Sequence, residues 1–448
     1  MVSLTDFPAE LLGQIFRGLP QADLASLCKT QSTLRKAAVP LLYENIHFRW
    51  AEKNTPPPII QFLKSILISP DLALHIRHLK LLGDTFWWSW RSPTPKIPVD
   101  TDSISPLISA IKSLCLPYES FWVEQLHAGS MDAFIALLFT RVPKLRSLHM
   151  DANFTQDARL FSNVLRSALY DHDGAGLPVF KNIHTVVFRG SYDRSSVVQS
   201  STTENALPLF YLPALRKLEV FVDTPKSGAI EWPISPPRLS NLTTLELHML
   251  RETSLEQVLR ATPCLKSLTW HCIYKARMRS QGRWALIVNL DMVASALSHV
   301  KDTLENLQIT AFVDEEYDRI IYESMEFRGD LRSLSTFHLK TLRMPWCFFM
   351  GFSMDRGLQL GHMVPKSVEN LIVSENFSMI PENEWKEIEI IERLLEFLGS
   401  LRRSEAQLRS LHLVSNDDEG FEWVTDGWTK RLSDACSEQD VEFRKVEH

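Results

Sequence analysis

The chain has 448 residues, 45% of them hydrophobic, and a formal net charge of -6. That is apolar material for one elongated domain or two to three compact ones, and the acidic balance argues against a nucleic-acid binder, which carries a strong basic excess. The 6 cysteines are scattered without a C-x-x-C pair, Asp6 and Glu10 interrupt any secretory pattern, and no apolar run approaches a membrane span, so the sequence predicts a soluble protein of a reducing compartment, cytoplasmic or nuclear.

From Phe7 to Phe48 the apolar spacing predicts three short helices around one seam. In the first, Leu11, Leu12, Ile15, Phe16 and Leu19 share a face while Glu10, Gln14 and Arg17 take the other. Thr5 or Asp6 caps it, Pro8 lies in its first turn, and Gly18 to Pro20 end it. A second helix carries Leu24, Leu27 and Cys28, and a third, after Thr30, carries Leu34, Ala37, Ala38 and Leu41. So short a unit cannot bury both sides of that stripe, and the leftover apolar surface calls for a partner.

The Pro8-x-Glu10-Leu11-Leu12 start, the Ile15-Phe16 pair, Leu19-Pro20, Asp23-Leu24, Leu27-Cys28-x-Thr30 and Leu34-Arg35 together resemble the F-box, the helical motif that docks on the Skp1 adaptor of cullin-based ubiquitin ligases. The tail Pro40-Leu41-Leu42-Tyr43, running into a strand, is similar to the fungal branch of that family. Phe7 stands where the family usually has leucine, and the aromatic often found near Leu34 is missing. The resemblance implies an F-box over residues 1–45, with Pro8, Leu11, Leu12, Ile15, Phe16, Leu19, Leu24, Leu27 and Leu34 meeting Skp1 or packing within the motif. It also implies a non-catalytic substrate receptor that reaches a cullin through the adaptor and holds a target protein with the rest of the chain. A Skp1-binding or repeat scaffold acting outside a ubiquitin ligase is the alternative.

Beyond residue 45 a short strand template, apolar-x-x-apolar-x-apolar, returns down the chain. It fits Ile76-Leu79-Leu81, Leu145-Leu148-Met150, Ile183-Val186-Phe188, Leu215-Leu218-Val220, Leu242-Leu245-Leu247 and Leu265-Leu268-Trp270. It continues with Leu304-Leu307-Ile309, Leu339-Leu342-Met344, Val368-Leu371-Val373 and Leu408-Leu411-Leu413, with Tyr43-Ile46-Phe48 and Tyr118-Phe121-Val123 as weaker members. Amphipathic helices are predicted between them at 59–68, 103–114, 131–142, 156–169, 255–261, 290–300 and 385–401. Each strand is too short to stand alone, and strand–helix repetition predicts an α/β fold of parallel strands backed by helices. Steps of roughly 23 to 42 residues overlap the roughly 20–29 of leucine-rich repeats, and the array over 46–448 resembles an irregular solenoid of that kind. With 16 glycines and neither a G-x-G-x-x-G nor a P-loop spacing, the doubly wound alternative lacks its signature.

Loop insertions are predicted near 83–103, 190–208, 223–241, 274–284 and 345–362. The first holds Trp87, Trp88 and Trp90, either a packed plug or an aromatic anchor for a partner. The fourth holds Lys275, Arg277, Arg279 and Arg283, either a solvated loop or a clasp for an acidic segment. No nucleophile elbow, protease signature or spaced zinc-ligand pattern is recognisable, so no catalytic residue, metal or cofactor is predicted. His75 and His78 lie at the entry to a strand, and Cys264, His271 and Cys272 lack a fourth ligand. Binding is what remains. Residues between the apolar template positions face the other side of the sheet, and His149, Arg189, Glu219, Phe221, Glu246, His248, His271 and Arg343 are the candidate target-binding set.

Overall fold

Runs of leucine, isoleucine and valine at every second position favour extended chain, because the two faces of a strand then differ in polarity and one can be buried. In the computed structural model the described residues are 4, 7–83, 95–170, 176–190, 200–225, 227–275, 287–314, 325–354, 357–375, 385–401, 406–415 and 426–447. The chain divides into two compact units, Met1–Val220 and Phe221–His448.

The first unit opens with helices α1 (Ala9–Phe16), α2 (Gln21–Leu27) and α3 (Ser32–Glu44). Strands β1 (Asn45–Arg49), β2 (His78–Leu82), β3 (Ser147–Met150), β4 (Thr185–Phe188) and β5 (Lys217–Phe221, whose last residue falls in the second unit) then pair in parallel, in chain order. The register aligns like template positions: Ile46, Leu79, Leu148, Val186 and Leu218 form one row, and Phe48, Leu81, Met150, Phe188 and Val220 the next. Every member of both rows is buried. The leading template residues, such as Ile76, Leu145, Ile183 and Leu215, sit just before their strands and are buried too. Helix Ile59–Ile68 has the predicted bounds and buries Ile59, Ile60, Leu63 and Ile66. Helix Met131–Thr140 is buried on every side, and Phe139 stacks on Phe180 at 4.1 Å.

The second unit holds β6 (Thr244–His248), β7 (Ser267–Lys275), β8 (Ile287–Asn289), β9 (Asn306–Asp314), β10 (Glu326–Arg328), β11 (Thr341–Pro345), β12 (Asn370–Ser374), β13 (Ser410–Ser415) and β14 (Glu442–Glu447). Seven of them form a parallel ladder in the order β6-β7-β9-β11-β12-β13-β14, while β8 and β10 pair apart from it. Again one row unites the template positions: Leu245, Leu268, Leu307, Leu342, Leu371 and Leu411. Both units are thus α/β, with parallel strands and intervening helices.

Several expectations change. Tyr118, Phe121 and Val123 do not form a strand; the segment is helix Glu119–His127. Trp122 and Leu126, four apart, are its buried residues, and Trp122 Nε1 donates to the carbonyl of Ala133 at 2.9 Å, so the 3.6 period wins over the period of two. Helix Thr101–Lys112 begins earlier than 103 because the Asp100 carboxylate accepts from the backbone N–H of Ser103. Of the insertion at 190–208, residues 191–199 lie outside the described set, but Ser200–Ala206 is helical and runs into a 3₁₀ turn that buries Leu207, Leu209 and Phe210. The insertion at 345–362 starts as helix Trp346–Met350, all five residues buried, and Gly351 ends it at φ +71. Residues 223–241 are irregular where described, as predicted. Trp87, Trp88, Trp90, Arg277, Arg279 and Arg283 lie outside the described residues, while Lys275 ends β7.

Candidate functional site

The N-terminal helices show how a short apolar stripe divides. Glu10 sits in the first turn of α1, where an acid complements the helix dipole, and Pro8 precedes it. Adjacent helical positions differ by about 100°, so the double pairs Leu11-Leu12 and Ile15-Phe16 cannot all face one core. Leu12 and Phe16 turn inward and pack with Leu24, Leu34 and Ala38, flanked by Leu19, Leu27, Cys28, Ala37, Leu41 and Leu42. Leu11 and Ile15 turn outward, 43% and 50% exposed, and Phe7 is also exposed one turn earlier. Gln21 Nε2 donates to the carbonyl of Asn45 at 2.7 Å and ties α2 to the end of α3. Of the nine predicted adaptor-contact residues, Leu12, Phe16, Leu24 and Leu34 are therefore core, Leu19 and Leu27 are half-buried, and Pro8, Leu11 and Ile15 are exposed.

No family model matches the chain, and no curated protein matches it.

The predicted polar face forms two side-chain networks, one in each unit. In the first unit His149 Nε2 lies 2.7 Å from Asp151 Oδ1, and Arg189 Nε donates to Glu219 Oε1 at 2.6 Å. The Arg189 guanidinium is also 3.7 Å from Asp151, whose other oxygen accepts from the backbone N–H of Gly83. Burial pushes the Asp151 carboxyl up, but the hydrogen bonds from His149 and Gly83 and the Arg189 charge outweigh it and hold it below the ordinary range. Glu219 is buried, and Arg189, whose side chain is 44% exposed, is the solvent-facing member of the pair.

In the second unit Glu246 and His248 are two apart on β6 and so share a face, and His271 on β7 is the register partner of His248. The imidazoles stack at 4.4 Å, and Phe221 stacks on His248 at 4.2 Å. Both Nε2 atoms converge on Glu246 Oε1, at 3.2 Å from His248 and 3.4 Å from His271. Those two contacts, His248 first, hold the Glu246 carboxyl far below the usual range despite its partial burial. Phe221 and His248 are buried, a departure from the expected open face, because the rings of Phe221, His248 and His271 stack on one another. Arg343, half-buried on β11, belongs to neither network.

Neither ligand group weighed from the sequence assembles. His75 lies in a turn, and His78 Nδ1 is 2.7 Å from Ser147 Oγ. Cys264 is exposed, while Cys272 is buried with its thiol donating to the Thr310 carbonyl. The grouping of Glu246, His248 and His271 was missed; its sequence signal is Glu-x-His in one template strand and a histidine at the aligned position of the next.

Two further ionic features lie off the predicted face. Asp132, in the buried helix Met131–Thr140, accepts from the backbone N–H groups of Leu160 (2.6 Å) and Phe161 (3.0 Å), the first turn of helix Arg159–Leu169. Burial pushes its carboxyl up to about 7, against the two backbone hydrogen bonds. The recess beside it, lined by Lys96, Ser130, Asn153 and Asp157 among others, has room for about one water molecule, far short of the roughly 300–1,000 Å³ of small-molecule sites. Asp132 is therefore read as an internal helix cap. In the second unit Arg251 forms a two-pronged pair with buried Glu252 (2.8 and 3.2 Å) and lies over the Tyr274 ring at 4.4 Å. Among the described residues, no helix is long and apolar enough to cross a membrane.

Proposed function

We propose that this protein is a substrate-recognition subunit of a Skp1–cullin–F-box ubiquitin ligase, with no reacting group of its own. The observation that carries the reading is the outward pair Leu11 and Ile15, beside exposed Phe7 and within the Pro8-x-Glu10-Leu11-Leu12 motif, on a helical unit whose own core is closed by Leu12, Phe16, Leu24, Leu34 and Ala38. The helices α1–α3 dock the adaptor, and the repeat strands, read as an irregular leucine-rich-repeat array, hold the target. Rate enhancement then comes from proximity, as the target's lysines are held near a ubiquitin-loaded conjugating enzyme.

The test is direct binding of purified Skp1-type adaptor to the full-length chain. Covering the exposed half of Leu11 and Ile15 is worth about 1 kcal/mol each, and a buried aspartate at either place adds a desolvation cost of similar or larger size. The Leu11→Asp/Ile15→Asp variant should therefore bind at least about 100-fold more weakly. Undiminished affinity in a folded variant refutes the assignment.

A further inference from the structure

Among the described residues, one group of three or more histidine, cysteine, aspartate and glutamate side chains brings its ligand atoms within 4.8 Å of one another: Glu246, His248 and His271. We propose that these three residues bind a divalent transition-metal ion of the zinc class, with a fourth coordination position open on the solvent side. The proposal concerns the second unit alone and is independent of the ligase reading.

Four observations support it. The donor set of two imidazoles and one carboxylate is borderline-soft and suits zinc and its neighbours better than calcium or magnesium, which prefer all-oxygen shells. The spacing fits: bonds of roughly 2.0–2.1 Å place two tetrahedral ligand atoms about 3.3–3.4 Å apart, and the two nitrogens lie 3.2 and 3.4 Å from Glu246 Oε1. The rings are held in place by outer partners. His271 Nδ1 is 2.5 Å from Thr310 Oγ1, which leaves Nε2 for the ion, and Phe221 stacks on His248 with 9° between the planes. The group is also accessible from one side, because the side chains of Glu246 and His271 keep 28% and 24% exposure while that of His248 keeps 9%.

The backbone explains why three distant positions meet. Parallel strands lie about 4.8 Å apart, so histidines at one register position bring their imidazoles alongside each other. Residue 246, two positions before 248 on the same face, puts its carboxylate next to both rings. One carboxylate and a divalent ion leave a local charge of +1, so the open position favours water, a carboxylate or a thiolate.

The experiment is calorimetric titration of Zn²⁺ into the full-length chain after chelator treatment and dialysis, with Co²⁺ absorption as the second readout. The expected result is one equivalent of Zn²⁺ bound in the micromolar range or tighter, with visible d–d bands for Co²⁺ of tetrahedral intensity. His271→Gln and Glu246→Gln should each weaken Zn²⁺ at least tenfold and abolish the Co²⁺ bands, with circular dichroism unchanged. Thr310→Val, which removes only the outer partner, should weaken binding about tenfold. Absence of one-equivalent binding to the wild type overturns the proposal, as does equal binding by wild type, His271→Gln and Glu246→Gln. If His271→Gln fails to fold, Glu246→Gln decides alone.

Discussion

Asp132 offers a sharp test of how the first unit is held together. Its carboxylate is the acceptor for two backbone N–H groups at the start of helix Arg159–Leu169, and both would be orphaned by Asp132→Ala. Each unsatisfied buried donor costs about 1–3 kcal/mol. Allowing for a water in the adjoining recess, the expected loss is about 2–4 kcal/mol, or roughly 5–15 °C in the melting temperature of a unit of this size. The pH dependence is equally specific. The folded carboxyl sits near 7, above its ordinary value of 3.8, so on raising the pH the unfolded chain loses this proton first. The contribution is fully present below about pH 4 and declines as pH rises towards 7, by about 3–5 kcal/mol in total. Asp132→Asn stays neutral, so the wild-type-minus-Asn stability difference should fall across that window. Urea unfolding at pH 4.5, 5.5, 6.5 and 7.5 measures it. A constant difference refutes the buried titration, and an Asp132→Ala loss under about 0.5 kcal/mol refutes the cap.

Other outcomes follow from single contacts. Glu252→Ala leaves the Arg251 guanidinium facing Tyr274 without its carboxylate and should destabilise the second unit by about 3–5 kcal/mol; unfolding curves that match wild type would contradict the buried pair. Gly83→Ala would place a Cβ 2.3 Å from the Trp50 carbonyl oxygen, so a loss of about 1–3 kcal/mol is expected, and an unchanged melting temperature would show that the backbones separate freely. Phe16→Ala should cost about 3–5 kcal/mol of core packing, whereas Ile15→Ala, on the exposed side of the same helix, should leave stability within about 0.5 kcal/mol; equal losses would overturn the division of the stripe.

The strands were legible because their signal is local. Leucine at the template positions both extends the chain and buries one face, and aligned repeats set the register without any long-range information. Tyr118-Phe121-Val123 satisfied the same six-residue pattern, but the wider window, with Trp122 and Leu126 four apart, carried the stronger helical period. Strand β14 was missed because Glu442, Arg444 and Lys445 leave little apolar alternation beside Phe443, as suits a charged edge strand. The three-residue strands β8 and β10 are too short for any periodicity to register. Bounds moved where a distant side chain decides them, as Asp132 does for the helix starting at Arg159 and not at 156. The division between Leu12 and Phe16 inside and Leu11 and Ile15 outside needed the placement of α3, since all four satisfy the same apolar pattern. Glu246, His248 and His271 were each visible as polar-face residues. Their convergence depends on strand register and rotamer together, which no one-dimensional spacing encodes.

Adaptor docking through Leu11 and Ile15, proposed above, is tested by affinity purification of the full-length chain and of its Leu11→Asp/Ile15→Asp variant from eukaryotic cells, with mass spectrometry of the eluates. The expected result is a Skp1-type adaptor and a cullin with the wild type, both lost from the folded variant, while target proteins remain on both baits. An adaptor retained by the variant, or absent from both, refutes the proposed docking.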